Sequence, residues 1–181
     1  MKNSSQDWLL AAGRILTLLG QGIMLIGGAA ILFATGGVAL FRESVIAELA
    51  TEFPELDPAA FGISFFVLMA IAAAFVVIGF YFLNELRQII DTVAEGDPFV
   101  PENGDRLTRM GWLAVGSQVL SIPAAAAGLA MAKMLDASEH ESVTTDMGFD
   151  PTGLLLIVTL FILARVFKSG AAMREDLEGT V

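Results

Sequence analysis

The chain has 181 residues, 55% of them hydrophobic and only 17% charged, with a mean hydropathy of +0.71. A soluble fold of this size carries about 25% charged residues, so an ordinary soluble domain is excluded. A formal charge of −10 and a pI near 4.4 argue against direct nucleic-acid binding, which needs a basic footprint. The absence of cysteine removes disulfides, thiolate catalysis, iron–sulfur clusters and zinc ribbons together.

The few charges are bunched. Charge-free runs of 27 residues lie between Arg14 and Arg42 and between Asp57 and Glu85. Arg109 to Lys133 encloses 23 more, and Asp150 to Arg165 encloses 14. Apolar runs of about 18 residues or more are bilayer-spanning helices. The expected fold class is all-α: an integral membrane four-helix bundle forming a single domain over residues 1–181, with helices near 15–41, 59–95, 104–132 and 151–174. Lys2 and Arg14 precede the first run as they would in a signal peptide, but the run is twice too long for one and reads as an uncleaved helix.

The first helix carries Gly20, Gly22, Gly27, Gly28, Gly36 and Gly37, a composition that lets membrane helices approach closely. The second continues past its apolar run as Leu86, Ile89, Ile90 and Val93, interleaved with Glu85, Arg87, Gln88 and Asp91. That spacing is an amphipathic extension. Residues 59–95 as one helix measure about 55 Å against a bilayer core of about 30 Å, so this helix should project into the cytoplasm. Gly96 supplies a C′ stop, and Asp97-Pro98 and Val100-Pro101 forbid simple continuation. Asn103 is positioned to cap the third helix with Asp105 in its first turn, and Pro123 should kink it unless neighbours compensate. Asp150-Pro151 opens the fourth helix, whose 14 uncharged residues require Arg165 and Lys168 to snorkel to the interface.

Lys and Arg counts set the orientation. The N-terminal tail, the 84–109 loop and the C-terminal tail hold eight, while the 41–57 and 133–150 loops hold two. Both termini and the central loop are therefore expected in the cytoplasm. Each outer loop carries five acids. Asp136, Glu139, His140, Glu141 and Asp146 offer oxygens and one imidazole to a divalent cation but lack any loop register, so a solvated acidic loop and no metal site are expected.

Gln21, Gln118, Ser64, Ser117, Ser121 and Thr159 are the polar groups at membrane depth. None is charged, which argues against an ion-coupled transporter, and interhelical hydrogen bonding is the expected role. The spacings Ala124, Gly128, Ala132 and Ala70, Ala74 mark helix contacts. No catalytic motif is present, so no enzyme, catalytic residue or cofactor is expected. The remaining candidate is the central loop from Gly96 to Asn103, where Phe99 stands as an aromatic in a polar segment stiffened by two prolines.

The pattern Gly96-x-Pro98-Phe99-x-x-x-Asn103, followed by Arg106-Leu107 and Gly111, resembles the hallmark of a bacterial membrane family of unknown function, domain-of-unknown-function family two-nine-seven-five. The C-terminal run Phe161 to Lys168 with Gly170, closing on Glu178-x-Thr180-Val181, is similar too, apart from Gly179 where the family has leucine. The resemblance implies four membrane helices in a bacterial inner membrane and no assigned activity. It further implies a genetic association with small Cro/CI-type helix-turn-helix regulators. The expectation is a membrane partner or sensor for such a regulator, docking through Asp97, Phe99, Glu102, Asn103 and Arg106, with Glu85, Arg87 and the tail from Arg174 beside them. The alternatives are a small transporter or channel subunit lined by Gln21, Gln118 and Ser121, or a purely structural membrane component.

Overall fold

The computed structural model describes residues 4–53, 57–134 and 150–178, and every element among them is helical. The helices are α1 (Ser4–Leu40), α2 (Arg42–Glu52), α3 (Pro58–Ala94), α4 (Pro101–Met134) and α5 (Pro151–Glu178). Four of them, all but α2, are long and apolar enough to cross a membrane. Their outward faces suit lipid rather than water: Leu16, Ile26, Leu32 and Phe33 on α1 are each at least 67% exposed. The chain is a multi-pass membrane protein.

Four features differ from the sequence reading. First, α1 begins eleven residues earlier than position 15, because Trp8-Leu9-Leu10-Ala11-Ala12 continues as good helix formers. Second, residues 42–52 form the short helix α2, where Val45, Ile46 and Leu49 are half-buried and Glu43, Ser44 and Glu48 are exposed. Three large apolar residues in eleven are too few to rise above the background of an acidic loop. Third, α4 begins at Pro101, a residue suited to the first helical position. Asn103 is therefore not the cap, and Glu102 rather than Asp105 is the acid of the first turn. Fourth, α5 continues four residues beyond 174. Pro123 stands inside α4, with helical residues on both sides of it. The acidic stretch with Asp136, Glu139, His140, Glu141 and Asp146, and the closing Gly179-Thr180-Val181, lie outside the described residues.

The chain divides into two compact units. The first comprises Met1–Met24, Ile78–Gly116 and Pro151–Val181. It holds the densest core, in which Leu107, Met110 and Ala114 of α4 meet Ile157, Leu160 and Ala164 of α5, with Phe82, Leu86 and Ile89 of α3 packed against them. The a/d-like spacing on α5 buries one stripe and leaves the rest to lipid. Here α1 and α3 run antiparallel: Gly13 lies against Ile90 and Gly20 against Leu83, seven residues on along one helix and seven back along the other. A Cβ at Gly20 would come within 2.8 Å of Leu83 Cδ1, so that glycine is a true close approach.

The second unit comprises Leu25–Val77 and Ser117–Asp150. Within it Gly27 and Gly28 face Val76, and along α3 Phe61 stacks on Phe65, which meets Phe66 edge-on. Asp57 caps α3, its carboxylate accepting the Ala59 N–H at 2.9 Å. Gln118 donates to the backbone carbonyl of Asp150 at 2.7 Å. The hydroxyl of Ser121 donates to the Gln118 carbonyl of its own helix, as that of Thr159 in the first unit does to the Leu155 carbonyl.

Candidate functional site

The first unit ends in the turn between α3 and α4, and its sequence explains its shape. Gly96 has φ +91°, a conformation costly for any residue with a Cβ. With Gly96 at C′, its N–H bonds the Val93 carbonyl and the Asp97 N–H bonds the Thr92 carbonyl, both at 3.1 Å. These are the two bonds of a Schellman ending. The chain then passes Pro98 and Phe99 and re-enters helix at Pro101.

Asn103 locks this turn from inside. It is 0% exposed. Its Nδ2 donates to Thr92 Oγ1 at 2.8 Å and to the Pro98 carbonyl at 2.9 Å, and its Oδ1 accepts from Arg106 Nη1 at 2.7 Å. The Thr92 hydroxyl in turn donates to the Ile89 carbonyl at 2.8 Å. One amide thus joins the end of α3, the turn and the start of α4. Arg106 is half-buried, and its Nε is the one buried side-chain polar atom among the described residues without a hydrogen-bond partner.

Helix α5 packs along the turn in register with α4. Phe161 rests on Gly111, Ala164 and Lys168 on Gly104, and Phe99 on Gly170. A Cβ at Gly104 would overlap the Lys168 stem, and one at Gly111 would sit 3.0 Å from the Phe161 ring. Beyond Gly104 the Lys168 amine reaches Asp105 at 2.8 Å. Lys168 therefore crosses Gly104 to pair with an exposed acid at the start of α4. Phe99 stacks on Phe167 with ring centroids 5.4 Å apart, and Arg174 is hydrogen-bonded to Asp97. On the α3 side, Arg109 bridges Glu85 at 2.9 Å, and Arg14 and Arg87 share Asp91.

The predicted docking residues accordingly separate by environment. Asp97 and Phe99 lie against α5, Phe99 remaining 42% exposed. Glu102 is exposed. Asn103 is wholly buried, so it positions the turn and offers no surface of its own. Thr92 and Gly104 are essential to the arrangement and escaped the sequence reading, since a threonine and a glycine within helical runs carry no distinguishing signal.

The two sequence stretches that carry the family resemblance are thus one structural unit, the first forming the turn and the second the helix laid against it. Residues 44–181 match the family described as "Protein of unknown function (DUF2975)". The chain belongs to this family. No curated protein and no solved structure matches it. In this DUF2975 protein the matched region opens within α2 and includes the whole of α3, α4 and α5, while α1 precedes it.

Proposed function

We propose that this protein acts by protein contact, as an inner-membrane partner of a small helix-turn-helix transcription regulator in a bacterial cytoplasm. The supporting observation is the braced turn: an aromatic ring, 42% exposed, held on a rigid mount among exposed acids. A prepaid mount lowers the ordering cost of binding, and acids around an aromatic anchor favour a basic partner surface. The excess of Lys and Arg in the 84–109 loop and both tails supports a cytoplasmic position for this turn. The proposal includes no catalytic step. A transporter or channel subunit has less support, because Gln118 and Ser121 are engaged with backbone carbonyls.

The test is a tagged pull-down from mildly solubilised membranes with mass spectrometry of co-purifying proteins. Phe99 also packs on Phe167, so exposed Glu102→Lys is the cleaner variant beside Phe99→Ala. The expected outcome is a helix-turn-helix protein recovered with wild type and lost with both variants at unchanged expression. Recovery of no soluble protein under several detergents would overturn the proposal.

A further inference from the structure

The end of α5 carries apolar side chains that the core does not use. Met173 is 63% exposed and Leu177 is 73% exposed, although the helix at that point is rich in charge. At about 100° per residue both lie within about 60° of Gly170, the position on which Phe99 rests. Phe99, Met173 and Leu177 therefore form one apolar strip at the turn. At this end of the unit stand Glu95, Asp97, Glu102 and Asp176 against Arg174, four acids to one base, or −3, while Glu175 lies on the opposite face of α5.

This strip lies past the lipid-facing part of α5. Arg165 is the first charge after the apolar run, and Met173 lies eight residues, about 12 Å, beyond it. An acidic border repels anionic headgroups, so lipid is the wrong occupant. An apolar strip with an acidic rim complements a helix with an apolar stripe and a basic face.

Resting on the regulator-docking reading, we infer that Phe99, Met173 and Leu177 form the seat for a basic amphipathic helix of the partner. The apolar contacts supply affinity, and the acidic rim selects basic helices and speeds their encounter. Asn103 and Arg106 hold the seat from below without touching its occupant.

The full-length protein in phosphatidylcholine nanodiscs would be titrated with a labelled lysine–leucine peptide of about five helical turns, beside a scrambled peptide of the same composition and empty nanodiscs. The expected result is saturable binding of the amphipathic peptide, weakened about tenfold or more by Met173→Ser with Leu177→Ser. Weakening should also appear with Glu102→Gln, and grow less evident at high salt. Both apolar positions are exposed, so the variants should keep the wild-type elution profile. Equal binding of intact and scrambled peptides, equal uptake by empty nanodiscs, or insensitivity to the serine substitutions would each overturn the inference. Co-purification of a regulator with wild type and the serine variant alike would remove the seat and leave the regulator reading standing. Peptide binding as expected, with no regulator recovered from cells, would do the reverse.

Discussion

Gly170 of α5 lies so close to Phe99 that a Cβ built on it would stand 2.7 Å from the ring's Cδ1. The contact couples the two segments that carry the family's sequence pattern, across some seventy residues of chain. Gly170→Ala should displace Phe99 from Phe167 and cost about 1–3 kcal/mol, the usual range for overpacking a tight contact. Thermal unfolding of the purified variant in detergent would measure the loss. A melting temperature equal to wild type would show that the ring yields freely and is not mounted.

Asn103 is the single amide that ties α3, the turn and α4. Asn103→Ala strands the Arg106 guanidinium, whose Nε already lacks a partner, and leaves the Pro98 carbonyl without its donor. A loss of about 2–4 kcal/mol is expected, more than one neutral hydrogen bond, because a charged group is among those orphaned. Protease susceptibility between residues 94 and 101 should rise in parallel. Unchanged proteolysis would mean that the Schellman ending alone maintains the turn.

The ion pairs should differ in weight according to burial. Glu85 has a side chain only 12% exposed, so Arg109→Gln leaves a largely desolvated carboxylate without its partner. That change should cost about 2 kcal/mol. The Lys168–Asp105 pair is open on both sides, at 49% and 63% exposure. Its contribution should be screened by salt, so Asp105→Asn should leave the unfolding temperature nearly unchanged at physiological ionic strength. Comparable losses in the two variants would contradict this ordering.

Orientation is open to direct labelling because the chain has no cysteine of its own. Glu102→Cys should react with a membrane-impermeant maleimide only after the cells are opened, and Glu48→Cys, exposed on α2, should react in intact cells. The opposite pattern would invert the topology and remove the turn from the cytoplasm.

Much of the architecture is local and therefore legible in one dimension. Four charge-free runs announce the four long helices, since a charge at bilayer depth costs several kcal/mol and is avoided throughout a span. The extension of α3 follows from its apolar period, and its end from the conformation that Gly96 alone takes easily. The prolines that close the turn are equally visible. Asn103 shows where local reading fails. In sequence it looks like a cap, but Pro101 starts the helix two residues earlier, and the amide turns inward to Thr92 and Pro98.

What only the tertiary structure decided is which segments meet. Nothing in the spacing of Phe161, Lys168 and Gly170 says that they lie on Gly111, Gly104 and Phe99, because those contacts join residues fifty to seventy positions apart. Gly104 and Gly170 are informative only once the opposing side chain is in place, since a glycine in a membrane helix is ordinary until something fills the space of its missing Cβ. Likewise, the sequence does not show that Lys168 pairs with Asp105, 63 positions away. Hydropathy and backbone conformation are properties of a residue and its neighbours in sequence, whereas close packing and charge pairing are properties of the assembled bundle.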